Sequence, residues 1–253
     1  IALASSRGID TIVTDHHSPS SELPEAVALI DPNLGDQSSP FNGLTGVGLA
    51  FKLVEAVWSD LTLPYPSHLL DLVALGTVAD VGQMKGENRY FVKQGLIRMN
   101  LTSRPGLEAL INQSNLNPGT IDSEALAFKL IPRLNAAGRL GDASVSLQLL
   151  TAPDYETAVP LAERLEEQNA ERRRLSDTAL TEALRQVDVG ETLPPIIIVK
   201  RRGWKPGILG LIAARMVETF HRPSIAISIG PNVSRASARS VVGFDLTHTL
   251  HQA

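Results

Sequence analysis

Residues Ile12–His17 read IVTDHH. Two β-branched residues and a threonine run straight into an aspartate and two histidines. A glycine turn at Gly8 comes just before, so the apolar run has the length of a strand. A second short apolar run, Ala26–Asn33 (AVALIDPN), closes on Asp-Pro. Thr45 opens TGVGLAFKLVEAVW, whose apolar residues recur at helical spacing, and Thr45 suits the N-cap. HLLDLVALGTVADVG (His68–Gly82) is nearly all apolar and is expected to break at Gly76, with Asp80 just beyond; ENRYFVKQGLIRM is again helical in period. Short strands alternating with helices predict an α/β domain with a largely parallel sheet. In such sheets ligands gather at the carboxyl ends of strands, where His16 and His17 fall.

Working outward, Asp154 to about Val187 is charged and helical, and is expected to form one long helix joining two lobes. Leu161, Leu165, Leu175 and Ala179 keep a near-heptad spacing, which Gln168 and Arg172 interrupt. Pro160 requires either a place in the first turn or a kink. The turn formers of VGETLPP mark the next boundary. Beyond them lie a strand (IIIVK), a helix (GILGLIAARMVETF), a strand (PSIAISI) and an alternating run of small and basic residues, SRASARS. These predict a second, smaller α/β domain.

Composition narrows the chemistry. The 253 residues carry a net charge of −4, so there is no global basic field, and nucleic acid would need local patches. With no cysteine, disulfides and thiolate zinc sites are excluded. No apolar run reaches the ~20 residues that span a bilayer. Walker and Gly-x-Ser-x-Gly patterns are absent, and aromatic residues make up only 4%, which argues against a broad base-stacking platform. The first residue is Ile1 rather than Met, and FDLTHTLHQA stops within a helical pattern. The chain is expected to be part of a longer protein, without a secretory leader.

Four groups could carry chemistry. Asp15, His16 and His17 combine imidazole with carboxylate, a donor set suited to Mn, Fe, Ni or Zn; a solvated loop would carry the same residues. Asp80 follows a buried segment and could be a ligand or an ordinary helix-end carboxylate. PRLNAAGRLGDAS (Pro132–Ser144) sets Arg133 and Arg139 around Asn135 and small residues; guanidinium forks suit phosphate oxygens, and surface salt bridges are the plainer alternative. SRASARS (Ser234–Ser240) could track a phosphodiester backbone or simply be an exposed strand.

Together these segments resemble the DHH phosphoesterase superfamily, and within it the RecJ family of single-stranded-DNA-specific exonucleases. VTDHH matches the motif that names the superfamily and GTVADV its next acidic motif. PRLNAAGRLGDAS looks like the RecJ subgroup's Arg-Asn-Gly-Arg motif, and GENRYFVKQGL and SARSVVGFDL are similar too. The resemblance implies a partial DHH catalytic domain with a parallel sheet (1–112), a connecting region with a long helix (113–190) and the first part of a DHHA1 nucleic-acid-binding domain (191–253). It implies two Mn²⁺ or Mg²⁺ ions and hydrolysis of single-stranded DNA from a 5′ end, in repair and recombination. By that pattern His16 and Asp80 would be ligands of one metal. His17 would face the scissile phosphate, and Asp15 would support the histidines or the metal shell. Arg133, Asn135 and Arg139 would lie near the catalytic groove, and Ser237, Arg239 and Ser240 would hold the DNA backbone or its 5′ phosphate. A cytoplasmic monomer is expected, with DNA and repair proteins as partners and no membrane. The family's two earlier acidic motifs precede this stretch, so the 253 residues alone are expected to be inactive. Lys205 stands where the family shows His, leaving that position's role open.

Overall fold

The computed structural model describes residues 1–20, 22–34, 41–101, 104–187 and 193–252. Contacts divide the chain into two compact units, Ile1–Ile131 and Pro132–Ala253. Most of the VGETLPP boundary falls outside the described residues.

The first unit opens with a single helical turn, α1 (Ala2–Ser5), and then β1 (Ile12–Thr14). β1 pairs in parallel with β2 (Ala28–Ile30), Ile12 opposite Ala28. The ladder runs one residue further, because the Asp15 N–H donates to Ile30 O at 3.0 Å. Helices α2 (Gly46–Asp60), α3 (Leu70–Ala79), α4 (Gly86–Met99) and α5 (Pro105–Gln113) follow. The core of α2, α3 and α4 gathers Leu44, Leu49, Phe51, Leu70, Val73 and Phe91. The rings of Phe51 and Phe91 meet edge-on at 5.3 Å.

Two sequence expectations need correction here. α3 does not break at Gly76 but runs through it to Ala79. A Cβ at Gly76 would lie 2.7 Å from Val47 Cγ1, so the glycine lets α2 and α3 approach. Thr45 holds the N-cap position of α2, yet its side chain makes no cap bond. Its hydroxyl instead meets the Thr77 hydroxyl at 3.2 Å, tying the start of α2 to the last turn of α3.

A short helix α6 (Ser123–Ala125) passes through a π-helical turn (Leu126–Leu130) into α7 (Ile131–Leu140), then α8 (Ser144–Leu150). The small residues of NAAG are therefore helical, and Ala136 and Ala137 are fully buried. The long helix is α9 (Tyr155–Leu184), whose Asp154 side chain caps the Thr157 N–H at 2.8 Å. Pro160 sits in the second turn on an exposed face, and the helix continues past it. The buried seam is Ala158, Ala162, Leu165 and Asn169, then Ala179 and Ala183, a 4–3–4 spacing in which Ala162 replaces the expected Leu161.

β3 (Ile197–Arg202), α10 (Leu209–Phe220), β4 (Ser224–Ile229) and β5 (Arg235–Arg239) form the second sheet and its helix; α11 (Leu246–Gln252) follows. β4 is central, parallel to β3 and antiparallel to β5. α10 lays Leu209, Ile212, Ala213 and Met216 on Ile197, Val199 and Ala226, with Ala179 and Ala183 of α9 completing the core. Trp204 is buried there and donates from Nε1 to Glu182 Oε2 at 2.9 Å. No helix among the described residues is long and apolar enough to cross a membrane.

Candidate functional site

Where β1 ends, the backbone of Asp15-His16-His17 folds around one carboxylate oxygen. Asp15 Oδ1 accepts the N–H of His16 at 2.7 Å and of His17 at 3.2 Å, and lies 2.7 Å from His17 Nδ1. The His17 ring nitrogen first, then the two backbone N–H groups, hold the Asp15 carboxyl down at about 2. A proton on Nδ1 facing Asp15 leaves Nε2 of His17 with its lone pair outward, as an acceptor or ligand. His17 is mostly exposed. His16 is more enclosed: its ring lies 4.4 Å from that of His17, and Gly46, the first residue of α2, lies against its edge.

His16 Nε2 is 3.5 Å from Asp80 Oδ2. Asp80 is the residue after α3, three positions past Thr77, whose hydroxyl meets that of Thr45 at the start of α2. Ligands at right angles on an octahedral ion with ~2.1 Å bonds lie about 3 Å apart. The pair is therefore near the bite of one ion, and imidazole with carboxylate suits Mn²⁺. Donor atoms of Asp15, His16 and His17 also fall within 4.8 Å of one another.

The second unit holds a different cluster. On α7, Asn135 and Arg139 are one helical turn apart and share a face, while Arg133 points elsewhere. Arg133 forms an ion pair with Glu166 of α9, which also reaches Arg173 at 3.3 Å. Asn135 is exposed. Arg139 donates to Gly207 O at 3.2 Å, in the turn that opens α10. A Cβ at Gly207 would sit 2.0 Å from Arg139 O, so only glycine permits this approach. Ser237 and Arg239, alternate residues of β5, converge on Gly210 in the first turn of α10; a Cβ there would lie 3.2 Å from Ser237 Oγ and Arg239 Nη2. Ser240 is turned away, donating from Oγ to Phe244 O at 2.6 Å. Two arginines and a hydroxyl thus surround the N-terminus of a twelve-residue helix, an arrangement suited to an anion.

Residues 1–77 match the model of the DHH family, N-terminal domain. The chain is 38% identical over 252 residues to the single-stranded-DNA-specific exonuclease RecJ of Bacillus subtilis, covering 99% of this chain and 32% of that protein. It is 40% identical over 269 residues to RecJ of Salmonella typhimurium, covering all of this chain and 47% of that protein. It is similar to RecJ over nearly its whole length. A crystal structure of RecJ with Mn²⁺ from Thermus thermophilus superposes with a TM-score of 0.86 at 32% identity, over 97% of this chain and 36% of that one. A second RecJ structure, bound to manganese, gives 0.84 at 32% identity over 98% and 61%. The chain spans between a third and about half the length of the curated RecJ proteins above.

Some supports of this candidate site escaped the sequence reading. Asn33 donates from Nδ2 to His16 O at 2.9 Å, fixing the histidine backbone from the turn after β2. Asn88, fully buried, donates to Gly43 O at 2.7 Å and Gln83 O at 3.1 Å, bracing the loops before α2 and after Asp80. A faint signal existed for Asn88: it lies on the buried stripe of α4 with Phe91, Val92, Gly95 and Met99.

Proposed function

We propose that this chain carries catalytic and DNA-binding residues of a metal-dependent 5′→3′ exonuclease that hydrolyses phosphodiester bonds of single-stranded DNA. The observation that carries the reading is the 3.5 Å pairing of His16 with Asp80 beside an Asp15-oriented His17 at a strand's carboxyl end. The similarity to RecJ supports single-stranded DNA as the substrate class. His16 and Asp80 hold Mn²⁺ or Mg²⁺, which when bound would activate water and neutralise phosphate oxygens. His17, outward and exposed, meets the scissile phosphate. Asp15 fixes the His17 ring and the loop. Arg139, Ser237 and Arg239 bind backbone phosphate or the strand's 5′ phosphate, with Arg133, Asn135 and Ser240 as outlying members.

The same reading divides the chain at 112/113 and 190/191 into catalytic-domain residues, a connecting helical region and the start of a nucleic-acid-binding domain. It assigns the protein to repair and recombination in the cytoplasm, as a monomer. His16 and Asp80 supply at most half of the ligands of one octahedral ion. The 253 residues alone are therefore proposed to bind Mn²⁺ weakly and to lack turnover.

The direct test is Mn²⁺ titration of the purified chain followed by electron paramagnetic resonance. His16→Ala and Asp80→Asn are each expected to weaken binding at least about tenfold, the loss typical when a metal site is disturbed. Equal affinity in all three proteins would remove the metal centre from this site. Single-strand exonuclease turnover by the 253 residues, abolished by His16→Ala, would overturn only the claim of inactivity. Preference of a longer polypeptide containing this chain for dinucleotides over long strands would redirect the substrate assignment.

A further inference from the structure

Three helices of the first unit end in the same way. The N–H two residues past the C-cap bonds back to the carbonyl five residues earlier, and the N–H before it to the carbonyl three residues earlier. α2 closes through Leu63 N to Trp58 O (2.8 Å) and Thr62 N to Ser59 O (3.1 Å); α5 closes through Leu116 N to Ile111 O (3.2 Å) and Asn115 N to Asn112 O (3.0 Å). α3 closes through Gly82 N to Thr77 O (3.0 Å) and Val81 N to Val78 O (3.1 Å). This closure puts one residue in the left-handed region, where glycine or asparagine fits best. Thr62, Val81 and Asn115 occupy it at φ of +58°, +56° and +52°.

Val81 is the anomaly of the three. A branched Cβ in this region is strained, and Thr62 shares that strain, but Val81 alone of the three is apolar. Burial does not compensate, since Val81 is 87% exposed. The usual apolar clasp over such a closure is missing too: Leu63 and Leu116 stand at the following position of α2 and α5, whereas α3 has Gly82. That glycine is required by space, because a Cβ there would lie 2.5 Å from Thr45 Cγ2. The end of α3 thus places glycine where packing demands it and an apolar branched residue where backbone preference and solvent both disfavour one. Val81 also directly follows Asp80, whose carboxylate faces His16. Strain and apolar exposure at a candidate metal ligand point to a role outside the free fold.

We propose that Val81 is a substrate-contact residue: its isopropyl group packs against the deoxyribose or base of the nucleotide whose phosphate sits at the His16–Asp80 centre. The contact would be indifferent to sequence, since every nucleotide offers an apolar ring face. This inference rests on the phosphodiester reading above.

Four proteins test it: the wild-type chain, Val81→Asn, Val81→Ile and His16→Ala. Each is measured for thermal midpoint, Mn²⁺ affinity and binding of a 5′-phosphorylated oligodeoxynucleotide with Mn²⁺ present. Val81→Asn is expected to raise the midpoint by roughly 2–4 °C through relief of strain. It should leave Mn²⁺ affinity unchanged and weaken oligonucleotide binding about three- to tenfold, the loss of a partly buried Val contact. Val81→Ile should keep wild-type binding. Unchanged oligonucleotide affinity in Val81→Asn overturns the proposal. So does a matching loss of Mn²⁺ affinity, which would make Val81 a support of Asp80. Failure of the underlying reading looks different: the wild-type chain and His16→Ala would bind the oligonucleotide alike, and the proposal would fall with it.

Discussion

A carboxylate oxygen that already takes two backbone N–H groups and a ring nitrogen has little room for a further partner. Asp15 Oδ1 is in that position, and under the proposed function its work would be to aim His17. The residue type was legible in IVTDHH, because a polar run at the end of a strand must turn. The division of labour was not, since it depends on which way each side chain leaves the turn. Asp15→Asn keeps the size but loses the charge that holds His17 Nδ1. Because Asp15 Oδ1 also holds the N–H of His16, the proposed ligand, the change is expected to weaken Mn²⁺ binding about tenfold, as for other residues that orient a metal ligand. Wild-type affinity in that variant would show that Asp15 neither aims nor holds a ligand. The acid limit follows from the same contacts. With the folded carboxyl depressed to about 2 from an ordinary 3.8, the stabilisation is complete above the ordinary value and is lost as pH falls toward 2.

At the scale of elements, glycine misleads where periodicity does not. The helical spacing of α2, α4, α9 and α10 and the two short runs of β1 and β2 all fold as read. Gly76 suggests a break because glycine weakens helices in isolation, yet tertiary contact decides the matter. Asp80 therefore sits at a helix end rather than beyond a loop, which is how its carboxylate reaches His16. Gly95 in α4 makes the same point more sharply. A Cβ there would lie 2.2 Å from Leu70 O and 2.4 Å from Ala74 Cβ, so α3 and α4 are in backbone contact. Helix propensity alone would let Gly95→Ala stabilise by about 1 kcal/mol. Close packing reverses the sign, and a net loss of about 1–3 kcal/mol is expected from urea unfolding. Since α3 carries Asp80 at its end, Mn²⁺ affinity should fall with it. A more stable Gly95→Ala chain would mean that the two helices can separate at little cost.

For the molecule as a whole, a net charge of −4 repels a polyanion, so binding to DNA must come from a local excess of cations. Arg139 and Arg239 stand a hundred residues apart in the sequence, with nothing in the pattern to join them. The glycines do so, Gly207 against Arg139 and Gly210 against Arg239, both at the start of α10. Arg172 of α9 adds to the field: burial first, and then repulsion from Arg139 and Arg173, pushes its guanidinium below the usual arginine range. Arg133, which the sequence groups with Arg139, is instead paired with Glu166. Cations gathered beside a helix N-terminus favour an anion, and under the proposed function a single strand would supply one at every phosphate. Each phosphate contact on a single strand contributes about −0.7 to the slope of log affinity against log salt. Arg139→Ala and Arg239→Ala should each flatten that slope by about one contact's worth, with little sequence dependence. Arg174→Ala, which removes an exposed pair with Glu171, should leave it unchanged. Anisotropy titrations between low and moderate salt read all three. Equal slopes in the wild type, Arg139→Ala and Arg239→Ala would take the phosphate away from α10 and return these arginines to ordinary surface charge.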